Sequence, residues 1–309
     1  MLPTIPPGFP VDIHPAVAQA VAEGRPVVAL ESTVLSHGLP RPVNFETAVE
    51  LERIVRRAGA TPATVAVLDG RLMVGLDAAG LQRVCADPGM KKLNRRDLAA
   101  ALVLRWSGGT TVSATMALAY AAGVRVFATG GVGGVHRGAT GDVSTDLEEL
   151  ARTPVAVVCS GAKSILDLDR TLEWLETRGV PVAGWQTERF PEFFSPPTSR
   201  PVSVRVDGAA EAARLIDRQR SFGGGPLICV PCPADQAVPA ESVAHALDAA
   251  EAEASAAGIA GKDLTPFLLE RLAELTGGAT LRANLALLHN NAAVAGEIAV
   301  ALTREATKR

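Results

Sequence analysis

The feature that most constrains the fold is an alternation of two hydrophobic patterns along the chain. From Arg25 onward, short apolar runs rich in β-branched residues alternate with longer stretches whose apolar residues recur at helical spacing. This alternation predicts a layered α/β fold, and several of the runs are apolar throughout, as strands covered on both faces are. The predicted strands span 26–33, 64–70, 124–131, 155–161, 180–185, 202–208 and 226–232.

Helix signals fill the intervals between these strands. A helix is predicted over 45–59, with Asn44 as its N-cap, and another over 164–179, closed by Gly179. Beyond Glu241 the strand pattern stops, and helices rich in alanine and leucine follow. We expect them to cover a sheet face or to form a subunit contact. They span 241–257, 264–276 and 280–305.

No linker is evident in the sequence, so we predict one domain over 1–309, with residues 1–12 as a flexible N-terminal extension. The main compositional break is the proline-rich segment 190–201, which is short enough to suit a functional loop or flap better than a boundary.

Composition excludes several classes of protein. A chain that is 48% hydrophobic, with a net charge of −3 and no long basic run, suits a globular protein without the footprint for nucleic-acid binding. Its 4 cysteines suit a reducing compartment rather than a disulfide scaffold. The N-terminus lacks the pattern of a signal peptide, and no uninterrupted apolar run approaches the ~18 residues of a membrane span. We therefore predict a cytoplasmic protein that does not bind a membrane.

Three motifs resemble well-known sites without matching them. The glycine-rich loop 128–138 follows a predicted strand and is either an anion site or a tight turn, because His136 stands where a dinucleotide fingerprint needs glycine. SGAKS at 160–164 lacks the upstream glycine of a P-loop. The CVPC motif at 229–232 has no second cysteine pair, which favours packed thiols over a zinc or redox site.

More informative are charged and polar residues where the apolar runs of the predicted strands end, because α/β folds bind ligands at the carboxyl ends of their strands. Glu31 ends the run PVVAL and Lys163 follows VAVVCSGA, while Asp142, Ser144 and Asp146 follow the glycine-rich loop. Each has a structural alternative: a surface carboxylate or local cap for Glu31, an exposed lysine for Lys163, and a helix N-cap for Ser144.

Two lysines are further candidates. Lys163 is placed by the pattern at the start of a helix, where the dipole disfavours a charged amine and so favours a nucleophilic one. Lys92 lies in the basic segment 91–97, which forms either a solvated face or a phosphate clamp.

Long segments of the chain, in order, resemble the pseudouridine-5′-phosphate glycosidases, also called the indigoidine synthase A-like family. The resemblance runs from about Ile13 to the last predicted helix. The segments are VVALESTVLSHGLPRPVN (27–44), KLNRRDL (92–98), GTTVSATM (109–116), FATGGVGGVHRG (127–138), VVCSGAKSILDL (157–168), GKDLTPFLL (261–269) and LTGGATLRANLALLHNNA (275–292).

The resemblance implies a three-layer α/β/α fold and reversible cleavage of the C–C bond between uracil and ribose 5-phosphate in pseudouridine 5′-phosphate. It further implies one Mn²⁺ ion per subunit, held by Asp142, and a homotrimer. The nucleophile falls on Lys163 and the proton donor on Glu31. The implied substrate contacts are Lys92, Val112, His136, Ser144, Thr145, Asp146 and Asn284.

These residue types suit the implied reaction. Because the leaving atom is carbon, acid catalysis alone is insufficient, whereas a Schiff base between Lys163 and the ring-opened sugar lets the bond break as uracil C5 takes a proton. Glu31 would shuttle the protons. A single carboxylate ligand, Asp142, would leave the remaining positions of Mn²⁺ to water. Since the sequence shows no sugar-kinase module, we expect a separate pseudouridine kinase as the metabolic partner.

Three departures from the family pattern bear on these expectations. The loop between Gly138 and Asp142 is short, Val230 stands where a polar asparagine is expected, and segment 190–201 differs from the usual flap. Two alternatives therefore remain open: a Schiff-base lyase or aldolase acting on a related C-nucleoside phosphate or sugar phosphate, and a non-catalytic sugar-phosphate-binding protein.

Overall fold

The computed structural model describes residues 10–138, 141–197, 199–259, 261 and 264–307. Its strands are β1 (Val11–Ile13), β2 (Val27–Leu30), β3 (Thr61–Leu68), β4 (Arg71–Val74), β5 (Lys91–Leu93), β6 (Gly108–Thr110), β7 (Val126–Ala128), β8 (Val135–His136), β9 (Ala156–Cys159), β10 (Leu166–Asp167), β11 (Val182–Trp185), β12 (Val204–Val206) and β13 (Leu227–Cys229). Its α-helices are α1 (Pro15–Ala22), α2 (Val43–Arg57), α3 (Ala78–Ala86), α4 (Leu98–Val103), α5 (Val112–Ala121), α6 (Thr145–Arg152), α7 (Leu168–Thr177), α8 (Ala209–Gln219), α9 (Ala240–Ala256), α10 (Leu264–Leu275) and α11 (Ala279–Thr307).

One large sheet of 11 strands organises the fold, in the order β1-β4-β3-β2-β7-β9-β13-β11-β12, with β6 pairing with β3 and β5. The strands from β2 to β12 along this path are all parallel, whereas β3 meets β4 and β6 in antiparallel fashion. Helices α2, α8 and α11 pack together over one face, and α5 and α6 cover the other. The expected three-layer α/β/α arrangement around a mostly parallel, mixed sheet is therefore confirmed.

All seven strands predicted from the apolar runs are present; six are shorter than their runs, whereas β3 begins three residues before its run and ends two residues short of it. The sequence did not reveal β1, β4, β5, β6, β8 and β10, which span 2 to 4 residues and, unlike the predicted strands, do not lie in the longer apolar runs. Val11 and Asp12 pair with β4 through β1, so the predicted flexible extension does not include them. Positions 1–9 lie outside the described residues.

Two helix boundaries differ from the prediction. Asn44 is not an N-cap: α2 begins at Val43, and the buried Asn44 amide donates to the carbonyl oxygens of Leu35 and Cys85. The helix predicted from 164 begins only at Leu168, because Leu166 and Asp167 first pair with β8, and the Asp167 side chain then caps the helix. At its other end Gly179 takes a φ of 69°, as predicted for a helix stop.

The long final helix α11 is the central helix of the molecule. It contacts β2, β7 and β9 as well as α2 and α8, so it covers a sheet face as expected. Its segment Ala279–Glu305 is long and apolar enough to cross a membrane, but 56% of the 18-residue apolar stretch within it is buried inside the protein. Its apolar character is thus accounted for by contacts within the core.

Candidate active site

The site lies where the parallel strands β2, β7 and β9 end at one edge of the sheet. Glu31 directly follows β2, Thr129 directly follows β7, and Lys163 lies four positions after β9. These strands are neighbours, so their carboxyl ends bring the three side chains to the same place. Glu31 and Lys163 thus meet at the carboxyl ends of the parallel strands, which is where the sequence predicted a ligand site.

The Glu31 carboxyl is buried, with only 8% of the residue exposed, and accepts a hydrogen bond from the Thr129 hydroxyl. Burial raises the pKa of this carboxyl above its ordinary value; the charge of Lys163 and the Thr129 hydroxyl oppose that shift only in part. Asp146 adds to the rise, while Lys92 counteracts it. A carboxyl in this setting tends to hold its proton and is suited to act as an acid.

Lys163 is held by a short loop that crosses the glycine-rich loop. Its backbone N–H donates to the Val132 carbonyl oxygen at 3.2 Å, and the Val132 N–H donates to the Gly161 carbonyl oxygen at 3.0 Å. Gly161 has a φ of 81°, and a Cβ there would collide with the carbonyl oxygen of Pro191. Lys163 lies five residues before α7, not at its start, so the dipole of that helix does not act on the amine as predicted.

Behind these loops, the side chain of Asn291 joins the segments that carry Thr129 and Lys163. Asn291 lies on α11 and is 0% exposed. Its Nδ2 donates to the carbonyl oxygens of Thr129 at 2.8 Å and Gly130 at 3.3 Å, and its carboxamide also pairs with the Ser160 hydroxyl. Helix α11 thereby fixes the distance between Thr129, which bonds to Glu31, and the loop that carries Lys163.

A polar cavity of about 210 Å³ opens beside Glu31 and Lys163. We call it the polar cavity. It is also lined by nearly all of the other predicted site residues, namely Lys92, Val112, His136, Asp142, Ser144, Thr145 and Asp146. Residues distant in sequence are thus brought to one cleft, although their individual roles remain predictions.

The basic segment 91–97 contributes to this cavity from one face only. Because side chains alternate along a strand, the two lysines of β5 point to opposite sides. Lys92 lines the polar cavity, whereas the ammonium of Lys91 lies 4.9 Å from the centre of the Trp106 ring. Arg96 also lines the cavity. The segment therefore places Lys92 and Arg96 at the cleft and leaves Lys91 outside it.

Asp146 supports the cavity wall. Its two carboxylate oxygens accept hydrogen bonds from the backbone N–H groups of Ser113, at 3.0 Å, and Gly133, at 2.9 Å. Gly133 must be glycine, because a Cβ would lie 2.8 Å from the Asp146 carboxylate and collide with Ser144. The glycine-rich loop thus directs one of its N–H groups to the protein's own carboxylate.

The hydroxyls beside Asp146 take part in the same framework. Ser144 is the N-cap of α6, and its Oγ accepts from the Asp146 N–H at 3.2 Å, as the structural alternative for this residue anticipated. The Thr145 hydroxyl lies 3.1 Å from that of Ser113 and donates to the side-chain oxygen Oδ1 of Asn94 at 3.3 Å. These contacts hold both side chains at the cavity wall.

Asp142 lies at the open rim of the cavity, with 47% of its side chain exposed, and its Oδ2 is 3.9 Å from the Nε2 of His136. No cluster of three or more His, Cys, Asp or Glu side chains that could hold a metal ion occurs among the described residues. Both oxygens of nearby Asp146 already accept backbone hydrogen bonds. A cation at this rim would therefore have Asp142 as its carboxylate ligand and water in its other positions, and the predicted Mn²⁺ stays a prediction.

A smaller central pocket of about 50 Å³ shares Glu31, Lys92 and Lys163 with the polar cavity. Phe193 and Asn284 complete its far side, so the structure also places Asn284 at the predicted site. The side chain of Asn284 is 7% exposed and makes no hydrogen bond to any residue that the structure describes. A buried carboxamide of this kind is available to a ligand.

The proline-rich segment 190–201 forms a wall of this pocket. Phe190, Phe193 and Phe194 are at most 2% exposed, and the Phe193 N–H donates to the Ser160 carbonyl oxygen at 3.1 Å. Burying each ring contributes about 1.5–3 kcal/mol. The described part of the predicted flap is therefore packed against the loop that carries Lys163.

The cysteines take no part in the site. All four, Cys85, Cys159, Cys229 and Cys232, are free and buried, and burial raises the pKa of the Cys85 and Cys232 thiols to about 11. This agrees with packed thiols at the CVPC motif. The neighbouring Val230 is 1% exposed and packs in the main core.

Sequence reasoning missed two residues that organise the site. Thr129 directly follows the observed strand β7, just as Glu31 follows β2, but the predicted strand 124–131 was too long at its end and included it. A prediction that ended this strand at Ala128 would have identified Thr129 by the rule that ligands bind beyond strand ends. Asn291 lies in a predicted helix, where no local signal distinguishes it from its neighbour Asn290.

Comparison with known proteins relates the whole chain to one family. The model of the family described as indigoidine synthase A like protein matches residues 16–301. A pseudouridine-5′-phosphate glycosidase of Sorangium cellulosum is 52% identical over 302 residues, covering 96% of this chain and 95% of the relative. The enzyme of that name from Escherichia coli is 48% identical, with 94% of each chain covered.

Two solved structures share the fold. The prealnumycin C-glycosynthase AlnA, in complex with ribulose 5-phosphate, has a TM-score of 0.90 at 38% identity, covering 98% of this chain and 100% of its own. An indigoidine synthase A-like protein of Thermotoga maritima has a TM-score of 0.86 at 37% identity, covering 91% of this chain and 94% of its own.

Proposed function

The chain belongs to the indigoidine synthase A-like family, and on this premise we propose that it is a pseudouridine-5′-phosphate glycosidase. It reversibly cleaves the C–C bond between C1′ of ribose 5-phosphate and C5 of uracil. The observation that carries the proposal is that a buried acid, Glu31, and a lysine, Lys163, line one pocket in a chain about half identical to curated enzymes of this name.

The distribution of charge in the cleft orients the substrate. Lys92 and Arg96 bring positive charge to the polar cavity, which Asp142 and Asp146 also line, and the amino-terminal end of α5 at Val112 borders it as well. Cations and helix N-termini favour a phosphate. We place the phosphate of the substrate there, the ribose C1′ beside Lys163, and the base in the central pocket.

Lys163 supplies the nucleophile. Its amine forms a bond to C1′ as the C1′–O4′ bond breaks and the ring oxygen takes a proton from Glu31, so that C1′ of the opened sugar carries both the nitrogen and the uracil ring. The new ammonium returns a proton to Glu31, which is then available for C5. When C5 takes up a proton, the C1′–C5 bond breaks and its electron pair stays with uracil. The nitrogen lone pair then forms the iminium with C1′. Water hydrolyses this Schiff base to give ribose 5-phosphate and the free amine.

An open-chain sugar in this fold is supported by AlnA, whose crystallised ligand, ribulose 5-phosphate, is an open-chain pentose phosphate.

Glu31 moves the protons. Since its burial favours the protonated form, it can donate to the ring oxygen as ribose opens and exchange a proton with uracil C5. Thr129 holds the carboxyl in place through its hydroxyl. Protonating carbon is otherwise slow, so the fixed position of the acid contributes directly to the rate.

Asp142 is the residue that would hold a divalent cation, and Mn²⁺ is our proposal for it. When bound, one such ion per subunit supplies positive charge and ordered waters at the rim of the polar cavity. The chain's own residues, Lys92 and Ser144 among them, hold the substrate beside it.

We extend the proposal to the protein's setting. It is a homotrimer, and large exposed apolar side chains such as Val103 (79% exposed) and Phe222 (81% exposed) are available for subunit contacts. It acts in the cytoplasm, in keeping with its free cysteines. A separate pseudouridine kinase provides its phosphorylated substrate.

The test is synthesis of pseudouridine 5′-phosphate from ribose 5-phosphate, uracil and Mn²⁺, followed by chromatography, with wild type compared with Lys163→Ala. Product from the wild type alone, and borohydride trapping of sugar phosphate on the wild type alone, would support the proposal. Substantial turnover by folded Lys163→Ala would refute the Schiff base. If the wild type gives trapping with sugar phosphates but no product from uracil, the protein is instead a Schiff-base lyase or aldolase with another substrate.

A further inference from the structure

The central pocket does not end at the base-binding wall. Beyond His37 and Asn284 it continues into a third cavity of about 360 Å³, which shares these residues, Pro266 and Leu269 with the central pocket. We call this third cavity the annex. Its other walls come from segment 39–40, Phe194 and the helices α10 and α11.

The chemical character of the cleft changes along this line. The polar cavity carries the cations Lys92 and Arg96. No lysine or arginine is among the described residues that line the annex, and its lining is mostly apolar, with Leu39, Phe194 and Leu281, while two carboxylates of α10 also border it, namely those of Glu270 and Glu274. A sugar phosphate therefore fits only the first end, and an uncharged apolar group fits the other. With the phosphate bound beside Lys92 and Arg96, the part of the substrate farthest from it faces the annex.

Asn284 stands at the boundary between the central pocket and the annex. Its carboxamide lines both spaces, is more than nine-tenths buried, and bonds to none of the described residues. Its amide therefore faces the two cavities, where a ligand can complete its hydrogen bonds. It can pair with a carbonyl or N–H at the edge of a pyrimidine while leaving space beyond that edge.

Building on the proposed function, we propose that this enzyme accepts uracil aglycones that carry an apolar substituent on a ring nitrogen, with the substituent bound in the annex. The reacting atom, C5, lies away from both ring nitrogens, so a group on N1 or N3 extends away from the glycosidic bond. Uracil itself leaves the annex unused. The substrate class is thus wider than unsubstituted pseudouridine 5′-phosphate.

The bond chemistry is unchanged by such a substituent. In the synthetic direction, C5 of the substituted uracil attacks C1′ of the Lys163 iminium, and the iminium becomes an amine. C5 loses its proton to the carboxylate of Glu31, and closure of the ribose ring then releases the lysine amine. No co-reactant beyond the sugar phosphate and the aglycone is needed.

The experiment compares uracil, 1-benzyluracil and 3-benzyluracil as acceptors with ribose 5-phosphate, following each C-glycoside by chromatography and mass spectrometry. Two variants of α10 accompany the wild type. Ala273→Phe adds a ring to the wall of the annex at a position that does not line the central pocket. Leu275→Phe adds comparable bulk at an exposed position that lines neither cavity.

We expect the wild type to use at least one benzyluracil with a kcat/KM within about tenfold of that for uracil, since a bound apolar group offsets the larger aglycone. Ala273→Phe should lower kcat/KM for that benzyluracil by more than about tenfold and change kcat/KM for uracil by less than about twofold. Leu275→Phe should leave kcat/KM for both acceptors unchanged.

Two results would overturn the inference. One is a wild type that converts uracil but neither benzyluracil. The other is an Ala273→Phe variant whose loss is equal for uracil and benzyluracil. If neither uracil nor a benzyluracil gives product, the proposed function itself is refuted, and the inference about the annex is refuted with it.

Discussion

The buried carboxamide of Asn291 allows a sharp test of how the site is assembled. This carboxamide bonds to the carbonyl oxygens of Thr129 and Gly130 and to the Ser160 hydroxyl, and so connects the loop that carries Thr129 with the loop that carries Lys163. Replacing it with alanine removes these bonds without touching the substrate. We expect Asn291→Ala to lower both the stability of the protein and its kcat.

The size of the effect follows from the hydrogen bonds that the Asn291 side chain makes. Two donated hydrogen bonds are worth about 1 kcal/mol each, and a buried oxygen left unpaired costs a further ~1–3 kcal/mol. The Gly130 carbonyl oxygen keeps its bond from the Ser160 N–H at 2.8 Å, so the Thr129 carbonyl oxygen suffers most. The free energy of unfolding should fall by about 3–5 kcal/mol, a large part of the ~5–15 kcal/mol typical of a domain.

The matched control is Asn290→Ala, one position earlier on α11. The Asn290 side chain is half-buried, and its Nδ2 donates to the Pro231 carbonyl oxygen at the long distance of 3.4 Å. Removing it should cost no more than about 1 kcal/mol.

The assay is urea unfolding of both variants, followed by kcat and KM for ribose 5-phosphate at a temperature where each is folded. A fall in kcat of about tenfold or more with little change in KM is expected for Asn291→Ala, because loose loops misplace the reacting groups. Equal losses of stability in the two variants, or wild-type kcat in folded Asn291→Ala, would refute the reasoning.

Three further predictions concern the charged residues of the cleft. Lys92→Ala should raise KM for ribose 5-phosphate by about tenfold or more, the value of a charge-assisted bond, while Lys91→Ala leaves it unchanged; equal effects would show that the segment acts only through its total charge. Thr129→Val removes a bond that lowers the pKa of Glu31, so this pKa should rise and the loss of activity on the alkaline side should move to higher pH, whereas Thr129→Ser restores the profile. If the alkaline limb of the pH profile does not move in Thr129→Val, that limb belongs to a group other than Glu31. Asp142→Ala should abolish the Mn²⁺ dependence of turnover, measured by metal titration of the chelator-treated protein, and an unaltered titration would place the ion elsewhere.

Several features of the fold and site could be predicted from the sequence because they depend on neighbours along the chain. The apolar runs identified all seven strands of the continuous parallel stretch from β3 to β12, and helical spacing identified the three C-terminal helices. The position of Glu31 at a strand end was evident for the same reason. The short strands β5 and β8 were not predictable, since they exist only through pairing with distant partners.

The sequence by itself determined the layered α/β class, the strand ends that carry Glu31 and Lys163, and the family resemblance. These follow from local periodicity and from residue identity. The tertiary structure alone decided that Lys163 lies on a loop and not at a helix start, because an unforeseen strand pairing delays α7. It alone decided that Asp146 accepts two backbone N–H groups, that Asn291 joins both loops, and that an apolar annex adjoins Asn284. Each of these depends on the packing of segments far apart in the chain, which no local pattern encodes.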